Sequence, residues 1–177
     1  MAYIKPNIII PWRFWGSVEE LRTFWMKSSL AAIFFNRASK GNPETSGAGG
    51  FVSSSNGLVE FSFRWGLGIM SNNQSECYSL LMAIQVAKEN GFKSIQVFDD
   101  SEMLIKALNS DDCFNNSALN NSLQRIQNLL KEFYLVASFH VLRKLNNLAY
   151  ALANKACLLP QGFLSINGEA NYLHPIP

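Results

Sequence analysis

The chain has 177 residues, of which 48% are hydrophobic and 16% charged, and its formal net charge is +2. That balance excludes a disordered chain, which buries too little apolar surface to offset its ordering entropy, and the length suits one domain with a sizeable core. Lys and Arg are spread along the chain apart from Arg143 and Lys144, so no basic stripe announces a phosphate-binding surface by charge alone.

Residues 1–29 read as an aromatic-rich extension, punctuated by Pro6 and Pro11 and carrying Tyr3, Trp12, Phe14 and Trp15. Ser17, with Glu20 three residues on, predicts the start of a helix that places Leu21, Phe24 and Trp25 on one face. Such a leader either packs on the domain or offers Trp12, Phe14, Trp15, Phe24 and Trp25 to a protein partner.

The domain proper reads as residues 30–158. Leu30 to Asn36 has the length and apolar content of a strand, and SKGNPETSGAGG has the chemistry of a loop throughout. Phe51 to Ser54 and Val59 to Trp65 follow as strands around Asn56-Gly57, a hairpin signal. Val59, Phe61, Phe63 and Trp65 alternate with Glu60, Ser62 and Arg64, as in a strand covered on one side. Asn73 to Asn90 carries an apolar stripe through Cys77, Leu80, Leu81, Ile84 and Ala87 and ends at Asn90-Gly91, a helix stop.

Ser94 to Phe98 predicts a buried strand, and Asp99-Asp100-Ser101 opens a short helix through Leu108. After a polar loop, Leu119, Leu123, Ile126, Leu130 and Phe133 recur at helical spacing. Tyr134 to Leu142 is the last predicted strand and Asn146 to Leu158 the last helix, with residues 159–177 a loose tail. The order βββαβααβα predicts an α/β (mixed α+β) domain, with a five-stranded mixed sheet and helices on its faces.

No stretch reaches the roughly 18–20 apolar residues that span a bilayer, so no membrane partner is expected. Ile8 to Ile10 is too short for a signal-peptide core. Cys77, Cys113 and Cys157 are scattered, which argues against a disulfide framework and fits an intracellular, reducing compartment. Cys77 and Cys157 sit in apolar helical patterns and read as buried thiols. His140 and His174 have no zinc-like company.

Four blocks in order, NRASKGNPE, NNQSE, DS and RKLNNLAYALA, resemble the ribonuclease H-like superfamily, in particular its plant and retroelement type. That type carries Asp-Gly-Ala-Ser-x-Gly-Asn-Pro-Gly, then Asn-Asn-x-x-Glu, Asp-Ser, and Arg-x-x-Asn-x-x-Ala-Asp-x-Leu-Ala. The resemblance covers Ala31 to Ala156. It implies the ribonuclease H fold and a site of four carboxylates holding two Mg²⁺ ions, which clamp the attacking and leaving oxygens of an in-line displacement.

Glu76 and Asp100 match two of those four positions and are the metal-binding remnants. Asn36 stands at the first and Tyr150 at the fourth, and neither brings a negative charge at pH 7. Arg37, where the family has Gly, adds a cation. Asp99 adjoins Asp100 and, by strand alternation, is expected to point to the opposite face; Asp111 and Asp112 read as loop. His140 falls ten residues before Tyr150, where some relatives carry a mobile-loop histidine, but it lies inside the apolar VASFHVLR and reads as a strand residue.

The resemblance also makes Asn42, Asn72 and Asn73 nucleic-acid-binding residues, facing the minor groove of an RNA/DNA hybrid. Amides can donate and accept to 2′-hydroxyls and base edges, although a turn residue and a helix cap would explain the same asparagines. The leading expectation is a catalytically degenerate, retroelement-derived domain that retains weak binding of RNA/DNA hybrid or RNA and needs no cofactor. The alternatives are a protein-interaction scaffold and a residual ribonuclease using Mg²⁺ or Mn²⁺ on Glu76 and Asp100.

Overall fold

A computed structural model describes residues 13–14, 16–28, 30–110, 114–169 and 172–176. The expected sheet is present as β2 (Ala31–Lys40), β3 (Thr45–Ser53), β4 (Val59–Gly68), β5 (Ser94–Asp99) and β6 (Leu135–Val141). β3 pairs antiparallel with both β2 and β4, while β5 runs parallel to β2 and β6 parallel to β5. The helices are α1 (Val18–Lys27), α2 (Asn72–Glu89), α3 (Glu102–Asn109), α4 (Ser117–Leu130) and α5 (Asn147–Ala156).

Alternation along the strands divides the core in two. Ile33, Phe35, Val52, Trp65 and Val97 pack with Leu80, Ile84, Leu104 and Ile126 on the face covered by α2, α3 and α4. Ala32, Phe34, Phe51, Phe98 and Phe139 pack with Leu21, Leu145 and Ala149 on the other face. Phe34 stacks between Phe51 at 4.8 Å and Phe98 at 5.0 Å. Because β2 is central, its residues 31–36 are buried on both sides, which is why they read as an unbroken apolar run.

Three expectations need correction. The sheet has eight strands among the described residues, not five: β1 (Arg13–Phe14) lies parallel to β6, and β7 (Phe163–Ile166) and β8 (Tyr172–Leu173) extend the edge beyond β4. The stretch after Pro160 therefore is not loose. β7 pairs with β4, and the Trp65 indole N–H donates to the His174 carbonyl at 2.9 Å.

The segment SKGNPETSGAGG is likewise not loop throughout. β2 continues to Lys40 and β3 starts at Thr45, leaving a turn at 41–44. Gly47 and Gly49 serve packing rather than turning: a Cβ at Gly47 would stand 2.5 Å from the Cys157 amide nitrogen, and one at Gly49 would fall on the backbone of Leu152 and Ala153. Only glycine lets β3 lie this close to α5.

In α1 the packing reading of the leader holds, not the docking one. Ser17 caps the helix as expected, accepting from the Glu20 amide at 3.1 Å. Phe24 and Trp25 turn inward, edge-on to Phe139 at 5.1 Å and Phe34 at 5.4 Å, so they pack on the sheet instead of presenting a surface to a protein. Trp12, Trp15 and the side chain of Phe14 lie outside the described residues, as do Cys113, Asp111 and Asp112. Cys77 and Cys157 are buried free thiols, and no described helix is long and apolar enough to cross a membrane.

Candidate functional site

The site forms where β2 outruns its pairing with β5. Beyond Phe34↔Phe98 the two strands part, and the gap is walled by the start of α2, the β5–α3 connection and α5. Asn36 and Arg37 come from β2, Asn72, Asn73 and Glu76 from α2, Asp100 and Ser101 from the β5–α3 connection, and Tyr150 from α5. With Arg143, from a 3-10 turn at Arg143–Leu145, they line a cavity of about 270 Å³. The four sequence blocks, far apart in the chain, meet here.

Ser71, not Asn72 or Asn73, caps α2 by accepting from the Gln74 amide at 3.2 Å. The two asparagines are thereby released from capping and face the cavity. Asn72 Oδ1 accepts from Arg37 Nη1 at 2.9 Å. Asn42 stands apart: it lies exposed in the 41–44 turn and is not among the cavity-lining residues.

Asp99 contradicts the expectation that its side chain points away. Val97 faces α2, Phe98 faces α1, and Asp99 returns to the α2 side, where its carboxyl is fully buried against Glu76. Its oxygens accept from the Ser101 amide at 3.0 Å and from Asn146 Nδ2 at 3.0 Å. Burial, followed by the neighbouring Glu76 charge, pushes the Asp99 carboxyl well above the usual aspartate range. Burial also raises Glu76. Two carboxyls this close and this dry cannot both ionise cheaply, so both hold a proton more tightly than exposed carboxyls do, Asp99 above all.

Asn146 joins the pieces. Though it begins α5, its side chain makes no capping bond. Instead Nδ2 lies within hydrogen-bond distance of the Phe35 carbonyl at 2.8 Å and of Asp99 and Asp100 Oδ1, each at 3.0 Å. One buried amide thus ties β2, β5 and α5 to a common point.

The donor set does not fit two divalent ions. Asn36 is 6% exposed, and its Oδ1 accepts from the Arg37 backbone amide at 2.8 Å, so the atom that would face a metal is turned to the chain itself. Arg37 Nε stands 4.0 Å from Glu76 Oε2 and Arg143 Nε 3.5 Å from Asp100 Oδ2. Each remnant carboxylate therefore already faces a guanidinium. Tyr150, at the fourth position, is 42% exposed with the Arg143 guanidinium 6.0 Å from its ring centre. Among the described residues no group of three or more His, Cys, Asp and Glu side chains is arranged to hold a metal.

Glu76, Asp100, Asn36, Tyr150, Asn72 and Asn73 are thus brought together as the sequence blocks predict, and His140 sits within β6 as a strand residue. Asp99, Arg143 and Asn146 were not legible as site residues. The signal for Asn146 is its place in Arg143-Lys144-Leu145-Asn146, and for Asp99 the parity of its strand.

The fold and these converging blocks define the ribonuclease H-like class. A profile described as reverse transcriptase-like matches residues 35–156, and the chain belongs to that family within the ribonuclease H-like superfamily. Ribonuclease HI of Halobacterium salinarum is 32% identical over 123 residues, which are 70% of this chain and 62% of that protein. A protein of Arabidopsis thaliana named provisionally as a ribonuclease H protein is 29% identical over 145 residues, 81% of this chain but only 23% of the relative. The chain thus spans less than two thirds of either relative. The crystal structure of the halobacterial RNase H1 superposes with a TM-score of 0.68, covering 71% of this chain and 96% of that one. LC11-RNase H1, solved in complex with RNA/DNA hybrid, shares the fold at 20% identity, with a TM-score of 0.66 over 72% of this chain and 96% of its own.

Proposed function

We propose that this is a catalytically silent ribonuclease H-like domain that holds RNA/DNA hybrid weakly and does not cleave it. The observation that carries the reading is the pairing of both remnant carboxylates, Glu76 and Asp100, with the guanidinium groups of Arg37 and Arg143. A two-metal displacement needs anionic ligands facing the ions; here Asn36 is neutral and turned away, and Tyr150 is a phenol. No metal cofactor is called for on this reading.

Hybrid as the ligand class is supported by LC11-RNase H1, whose solved complex contains it, and by Asn72 and Asn73 lining the cavity. Asparagine amides match the mixed donors and acceptors of 2′-hydroxyls and base edges. With a net charge of only +2, binding should be weak and fall steeply with salt. Descent from a retroelement accords with membership of the reverse transcriptase-like family. The protein-scaffold alternative loses Phe24 and Trp25, which are packed against the sheet.

The test uses labelled hybrid with Mg²⁺ or Mn²⁺, followed by gel shift at low salt and by product analysis. The expected result is a salt-sensitive shift without cleavage. Cleavage abolished by Asp100→Asn would overturn the reading, as would the absence of any shift at low salt.

A further inference from the structure

We propose that the old metal site has become a metal-independent phosphodiester clamp, in which Arg37 and Arg143 grip one backbone phosphate and Asn36 Nδ2 donates to its oxygen. This rests on the reading that the groove still receives nucleic acid, and it says what replaces the ions.

Three observations converge. Asn36 is buried, and Nδ2 has no hydrogen-bond partner. The orientation of that amide is fixed, because Oδ1 must be the atom that accepts from the Arg37 amide at 2.8 Å. Asn36 lines the cavity, and its buried Nδ2–H₂ is left without an acceptor, which costs free energy until one is supplied.

Second, two guanidinium groups line the same cavity, and neither is closed into a bidentate fork. The contacts to Glu76 at 4.0 Å and Asp100 at 3.5 Å are longer than the roughly 2.7–2.9 Å of a strong charge-assisted bond. Each guanidinium carries five N–H donors; Arg37 gives one to Asn72, and the planar fork of arginine suits phosphate oxygens. α2 also begins at the cavity wall with Asn72 and Asn73, and the positive end of a helix favours an anion.

Third, two carboxylates of a two-metal site are missing, since Asn36 and Tyr150 stand in their places, and the remaining two, Glu76 and Asp100, each face a guanidinium, at 4.0 and 3.5 Å. A four-carboxylate site repels a phosphate until divalent ions arrive, whereas here arginines already stand beside the carboxylates. A phosphate entering here meets two cations and an unsatisfied donor, and a divalent ion meets two arginines.

The decisive experiment uses the full chain in EDTA. The dinucleotide dTpdT, which offers one phosphodiester and no hybrid, is titrated while NMR follows the Arg37 and Arg143 Nε–H and Asn36 Nδ2–H₂ signals; labelled hybrid is titrated in parallel. The clamp predicts that all three signals shift with dTpdT, that Mg²⁺ does not tighten binding, and that Arg37→Gln and Arg143→Gln each weaken both ligands about tenfold. Arg143 is 79% exposed, so its variant keeps the fold. Asn36→Asp should abolish binding in EDTA.

If dTpdT moves these signals and hybrid does not bind, the clamp stands and the hybrid reading falls. If hybrid binds while the three signals stay still and both arginine variants bind normally, the clamp falls and the hybrid reading stands. Binding that requires Mg²⁺, or no binding of either ligand, overturns the clamp.

Discussion

Asp99→Asn isolates the raised carboxyl beneath the groove. In the folded chain the Asp99 carboxyl is fully buried beside Glu76, and burial first, then the Glu76 charge, raises its affinity for a proton. Its usual value is 3.8, and the unfolded chain titrates there. The folded state therefore holds a proton that the unfolded state has released. Stability is greatest below the unfolded value and falls as pH rises through the window between the unfolded and folded values. One proton sets the steepest slope this pair can contribute, about 1.4 kcal/mol per pH unit. Asparagine is neutral throughout and keeps an oxygen for Ser101 or Asn146, so the variant should lose this slope and be no less stable at pH 8. Urea unfolding of both proteins from pH 5 to 8 measures it. If the variant retained the wild-type slope, Asp99 would not be the group that holds the proton.

Two other substitutions probe how the site is held. Gly49→Ala drives a methyl group into the backbone of Leu152 and Ala153 and should cost about 3 kcal/mol, read as a lower urea midpoint; an unchanged midpoint would mean that β3 and α5 are less tightly apposed. Asn146→Ala removes a buried Nδ2–H₂ whose two hydrogens serve the Phe35 carbonyl and the two aspartates between them and should cost about 2–3 kcal/mol. It should also blunt the response of the Arg143 Nε–H signal to phosphodiester, because Asp100 loses its tether; a variant with full stability and full response would refute that role.

Much of the fold was legible because periodicity survives in the chain. The alternation of Phe61, Phe63 and Trp65 and the stripe through Cys77, Leu80, Ile84 and Ala87 read correctly, since each reports the face its own element buries. Errors came where a residue's reason lies elsewhere in the molecule. Gly47 and Gly49 look like loop glycines until α5 is set against them, and Trp65 does not disclose that it will bond to His174. Asp99 shares the parity of Val97 and so turns toward α2, but parity does not disclose that Glu76 stands there.

The chemistry of the site divides the same way. That Asn36 and Tyr150 bring no negative charge, and that Arg37 adds a positive one, is a property of residue identity, and the sequence alone determined it. Tertiary structure decided which atoms meet: Asn36 turns its oxygen to its own backbone and leaves its N–H without an acceptor, Asp99 and Glu76 are brought together out of water, and Arg143 is carried to Asp100. Charge belongs to the residue, but field and hydrogen-bond direction depend on distances that exist only once the strands and helices have converged.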